Sequence, residues 1–111
     1  MSDIKKFDTG LSDAQRERLH FLVEELGEVA QAVGKTLRHG FDSRDPTIPY
    51  SMTNRHWIEQ EVGDLTAAIL LLIEAKDLCD DTIQERIDHK KKSVMKWMHY
   101  QPVDEVKLEK V

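Results

Sequence analysis

Between Ser12 and Gly40 the apolar residues fall at Leu19, Leu22, Val23, Leu26, Val29, Ala30, Val33 and Leu37. Steps of three and four residues are the period of an α-helix, and a strand would scatter these side chains over both of its faces. Ser12, with Gln15 three positions later, has the form of a capping box that opens a helix. Gly40, directly after Arg38 and His39, supplies the stop. The helix so bounded runs about 28 residues, roughly 40 Å at the standard rise. A rod of that length cannot cover its own stripe, so the chain is committed to packing helices side by side.

The rest of the chain repeats the pattern. Residues 41–52 hold Asp42, Ser43, Asp45, Pro46 and Pro49 without periodicity, which is loop chemistry at a length often associated with function. Thr53 or Asn54 can cap a second helix carrying Trp57, Ile58, Val62, Leu65, Ile69, Leu72 and Ile73 and ending near Leu78. Asp80 or Asp81 then caps a third, with Ile83, Ile87, Val94, Met95 and Met98 as its apolar side. No strand pattern and no internal repeat interrupts the series. The expected fold is all-α, a bundle of long antiparallel helices. Three helices leave apolar face to spare, so a four-helix core completed by a second copy, in a homodimer or homotetramer, is the natural solution. Residues 1–10 read as an arm, 11–101 as the domain and 102–111 as a charged tail.

Composition narrows the function classes. Among 111 residues, 33% are charged and 40% hydrophobic, with a net charge of −5, which does not suggest a partner that is a nucleic-acid polymer. The longest apolar run, Leu65 to Ile73, is too short to span a membrane. The N-terminal residues lack a signal-peptide core, and the single cysteine, Cys79, allows neither an intrachain disulfide nor a cysteine metal framework. These point to a cytoplasmic protein in a reducing compartment. Cys79 is read as a small residue near a helix end.

Two acid motifs stand inside the apolar stretches: Glu24-Glu25-Leu26-Gly27-Glu28 and Glu61-Val62-Gly63-Asp64. Residues three apart on a helix share a side, so Glu25 pairs with Glu28, and Glu61 with Asp64. One such pair alone is usually a solvated face. Here each pair lies against the apolar stripe, and an antiparallel hairpin would bring the two together. Four facing carboxylates repel unless cations sit between them. An all-oxygen ligand set suits Mg²⁺, with Mn²⁺ able to substitute, better than zinc or copper.

Glu-Glu-x-x-Glu followed on a second helix by Glu-x-x-Asp resembles the MazG-like all-α nucleoside triphosphate pyrophosphohydrolases. Residues 26–40, residues 61–65 and the basic stretch 90–101 are similar to the form common in small phage and bacterial members, so the likeness spans roughly 15–101. It implies hydrolysis of an NTP or dNTP between the α- and β-phosphates. It implies metal ligation by Glu25, Glu28, Glu61 and Asp64. Glu24, Glu28 and Glu61 are assigned to catalysis, with Glu24 or Glu28 as the base that takes the proton of water. Lys35, Arg38, Lys92 and Lys96 are the cations for phosphate oxygens, Lys92 and Lys96 sharing a face at four-residue spacing. Trp57, one turn before Glu61, is read first as a core or interface tryptophan and second as a platform for the base. Asn54 and His56 are further candidates for a base edge. The interval between the two acid motifs is on the long side, a departure from the family's form that falls on the loop at 41–53 and leaves its part in specificity or assembly open.

Three other readings compete. Glu17 and His20 form the Glu-x-x-His unit of di-iron bundles, but that fold needs a second unit, which is missing. A phosphoribosyl-ATP pyrophosphatase carries similar acid motifs. A non-enzymatic, dimeric helical adaptor would need no ion at all.

Overall fold

A computed structural model describes residues 7–48 and 50–102. The chain divides after Asp77 into two compact units. Part of the expected arm (residues 1–6) and nearly all of the expected tail (residues 103–111) lie outside the described residues.

The first unit is a helical hairpin. Helix α1 spans Asp13–His39, and both halves of the Ser12 capping box are present: Gln15 N–H donates to Ser12 Oγ at 3.1 Å, and Ser12 N–H to Gln15 Oε1 at 2.8 Å. Gly40, at φ +90°, ends the helix with its N–H on Thr36 O. Helix α2 spans Asn54–Glu74 and is capped by the Thr53 hydroxyl, which accepts from His56 N–H. The two helices pack against each other and run antiparallel. At one end Arg18 and Gln15 reach Asp77, and at the other Asn54 Nδ2 donates to Gly40 O at 2.9 Å.

α2 stops four residues short of the expected end near Leu78. Lys76 takes a left-handed φ of +66°, its N–H donates to Ile73 O at 3.0 Å, and the N–H of Asp77 reaches back to Leu72 O at 2.9 Å. That pair of bonds is a Schellman motif, which ordinarily places glycine where Lys76 stands. Without the glycine, the sequence offers no stop signal. Asp77 closes the hairpin through its side chain as well, accepting from Arg18 Nε at 2.7 Å and from Gln15 Nε2 at 3.3 Å. Gln15 thus joins the start of α1 to the turn after α2.

The connection between the helices carries no regular element in its described part, as its composition implies, yet it is heavily cross-bonded. Arg55 N–H donates to Phe41 O at 2.9 Å and Asn54 N–H to Ser43 O at 3.0 Å. Arg55 pairs with Asp42 and lies over the Phe41 ring, while Asp45 accepts from the N–H and hydroxyl of Thr47. These bonds hold the mouth of the loop against the start of α2.

The second unit holds α3, Asp80–Ser93, and a short 3-10 helix, Val94–Trp97. Neither Asp80 nor Asp81 is the cap. Cys79 holds the extended N-cap position without a side-chain bond, and both aspartates fall in the first turn, where the helix dipole favours negative charge. Val94, Met95 and Lys96 lie in the tighter 3-10 turn, and Met98 in extended backbone, rather than on α3. Lys92 is therefore on α3 and Lys96 in the 3-10 turn, whose three residues per turn shift the phase between them.

The described residues are all-helical, and no helix among them is long and apolar enough to cross a membrane. Among the described residues, Ala32, Ala68 and Leu72 are the buried ones. Much of the α1 stripe is not: Leu19, Val23, Leu26, Val33 and Leu37 remain exposed, Leu37 at 83%.

Candidate metal centre

Among the less exposed positions of α1 are Gln15, Arg18, Leu22, Glu25, Val29, Ala32 and Thr36; on α2 they include Asn54, Ile58, Glu61, Leu65, Ala68 and Leu72. Alternating steps of three and four are the spacing by which two packed helices present a seam to each other. Glu25 and Glu61 therefore occupy seam positions that otherwise hold mostly apolar side chains. A carboxylate there gives up part of its hydration, which is unfavourable unless something replaces it.

Their side chains converge. One carboxylate oxygen from each of Glu25, Glu61 and Asp64 lies within 4.8 Å of the other two. Glu25 and Glu61 are half-buried and Asp64 is exposed, so the cluster is seated in the hairpin and open to solvent on one side. Loss of hydration, and then the charges of Asp64, Glu24, Glu61 and Glu28, push the Glu25 carboxyl above its ordinary value. Oxygens on an octahedral Mg²⁺ stand roughly 3 Å apart when adjacent and roughly 4.2 Å when opposite, so the three carboxylates would have to draw closer together to share one ion. The donor set, all oxygen and all anionic, fits Mg²⁺ or Mn²⁺.

The other expected site residues are distributed unevenly. Glu28, half-buried on the next turn of α1, lies outside the three-oxygen group, and Glu24 is exposed beside it. Lys35 Nζ stands 4.5 Å from the centroid of the Trp57 ring. Arg38 is exposed on the last turn of α1, more than three turns and roughly 20 Å along the helix from Glu25. Within one hairpin it is not brought to the carboxylates. Lys92 and Lys96 belong to the second unit, where Lys96 Nζ lies 5.7 Å from the Trp97 ring. Asn54 spends its side-chain amide on Gly40 O, which makes it a loop staple. Glu17 and His20 take no part in the cluster.

One relation at the centre escapes a reading of acid spacing alone. Trp57 Nε1–H donates to Glu61 Oε1 at 3.1 Å, linking two residues four apart on α2. The i, i+4 spacing of a donor-only indole and a carboxylate was the available signal. Arg18 and Asp77, distant in sequence, leave no such signal. No family model, no curated protein and no solved structure matches this chain.

Proposed function

We propose that the chain is a metal-dependent nucleoside triphosphate pyrophosphohydrolase of the MazG-like type, acting on a free nucleotide, with a dNTP favoured. The observation that carries this reading is the meeting of Glu25, Glu61 and Asp64 from two helices, two of the three at seam positions. The motif likeness in the sequence, which includes the same acids, supports it as well. Glu25, Glu61 and Asp64, with Glu28 one turn on, are the residues to hold the ion. A bound divalent cation supplies neutralisation of phosphate charge and acidifies the attacking water.

The chain's own groups supply the rest. Water attacks the α-phosphorus, the bond from that phosphorus to the bridging oxygen breaks, and pyrophosphate leaves with the monophosphate as co-product. Glu24, or Glu28 with whatever part of its carboxylate the metal does not use, accepts the proton of water. Lys35, with Arg38 further along α1, is the cation assigned to the phosphates.

A homodimer or homotetramer in the cytoplasm belongs to the same proposal. Leu19, Val23, Leu26, Ala30, Val33 and Leu37 repeat the three-and-four spacing one position round α1 from the seam already filled, and all six are exposed. A helix with two such seams has a second partner to find, and a second copy of the hairpin offers a matching one.

The test is pyrophosphate release with Mg²⁺ or Mn²⁺ across the ribo- and deoxynucleoside triphosphates and phosphoribosyl-ATP, for wild type and Glu61→Gln. Metal-dependent release from one or a few nucleotides, lost in Glu61→Gln, supports the proposal and names the substrate. Release from phosphoribosyl-ATP alone moves the enzyme to the phosphoribosyl-ATP pyrophosphatase class. No release from any of them, with folded protein and metal present, favours the adaptor reading.

A further inference from the structure

Trp57 stands between a cation and an anion contributed by different helices. The Lys35 ammonium of α1 lies over one face of its ring, 4.5 Å from the centroid, and the ring N–H edge donates to Glu61 Oε1 at 3.1 Å. Both Trp57 and Glu61 are half-buried on α2, one turn apart. The result is a continuous chain: ammonium, indole face, indole N–H, carboxylate.

Each link has a physical consequence. A cation over the ring draws electron density towards itself and makes the opposite N–H a better donor. The bond it makes is neutral-to-charged, so it strengthens in a partly dehydrated seam. The terminal torsion of glutamate is soft and nearly two-fold, and a glutamate facing two like charges would turn outwards to water if nothing held it. The indole bond occupies one oxygen of Glu61 and leaves the other free of it. With one face under Lys35 and its polar edge on Glu61, the ring is committed to the carboxylate before any nucleotide arrives.

We infer that Trp57 is a positioning residue for the metal centre: its indole N–H, backed by Lys35, holds the Glu61 carboxylate in the orientation that receives the divalent cation. This rests on the metal reading proposed above. It assigns the tryptophan a role different from that of a base-stacking platform.

The test is calorimetric titration of Mn²⁺ into the full-length protein, with thermal unfolding measured in the absence of metal. Trp57→Phe keeps an aromatic ring at the position and removes the donor together with part of the ring's bulk. The expected result is a 10- to 100-fold weaker Mn²⁺ affinity, the size of effect found when a hydrogen bond to a metal ligand is lost, in a protein that still unfolds cooperatively without metal. A second variant guards against a packing defect. In a Trp97→Phe background, the remaining tryptophan is replaced by its isostere with sulfur in place of the ring nitrogen. That protein should show the same loss of affinity. Wild-type affinity in either variant overturns the inference and leaves the metal reading standing. A wild type that binds no Mn²⁺ overturns the metal reading, and the inference falls with it.

Discussion

Glu25 carries the electrostatic strain of the hairpin, because it sits in the seam and faces Asp64, Glu24, Glu61 and Glu28. Its folded value lies above the ordinary 4.5, so over the interval above 4.5 the native state holds its proton more tightly than the unfolded chain does. Metal-free stability attributable to Glu25 therefore falls as pH rises through that interval and returns on acidification. Glu25→Gln removes the titration. Without divalent ions its thermal midpoint should rise relative to wild type between acid and neutral pH, while added Mn²⁺ should raise the midpoint of wild type alone. An equal Mn²⁺ response in both proteins would remove Glu25 from the site. The three residues that meet here were legible as acid pairs at three-residue spacing. The exclusion of Glu28 from the group was not, because spacing places a Cβ on a face and leaves the end of a long side chain to its rotamer.

At the scale of elements, caps decide where the helices end. The start and stop of α1 and the start of α2 could be read from Ser12, Gln15, Gly40 and Thr53, since each uses the residue type its geometry favours. The end of α2 could not, because Lys76 adopts the left-handed conformation without being glycine. Lys76→Gly should relieve that strain and stabilise the protein by about 1 kcal/mol, read as a higher urea midpoint with unchanged slope. A lower midpoint would mean that the Lys76 side chain contributes more than its backbone costs. Asp77, held below its ordinary 3.8 chiefly by Arg18, gives stability that is complete above 3.8 and lost as pH falls through its folded value. Arg18→Met should therefore lower the thermal midpoint at neutral pH and lower it less in strong acid. The hydrophobic counterpart is Leu72, 1% exposed in the hairpin seam. Leu72→Ala should cost about 3 kcal/mol in urea unfolding.

At the scale of the molecule, the buried core among the described residues is Ala32, Ala68 and Leu72, and the second seam of α1 carries the exposed large apolar side chains of that helix. All-helical architecture followed from periodicity. The division after Asp77 did not, since stripes mark what is apolar and not which stripe meets which. If two copies share the open seam, sedimentation of the wild type should give a dimer or tetramer, and Leu26→Glu with Val33→Glu should give a folded monomer. A monomeric wild type at micromolar concentration would refute the shared seam. The assignment of chemistry is tested most directly by turnover of a reactive nucleotide in heavy-oxygen water with Mn²⁺, with the products analysed by mass. Heavy oxygen in the monophosphate, unlabelled pyrophosphate beside it, and no product from Glu61→Gln are the expected results. Label in pyrophosphate or orthophosphate, or full turnover by Glu61→Gln, would contradict attack at the α-phosphorus by a site built on Glu25, Glu61 and Asp64.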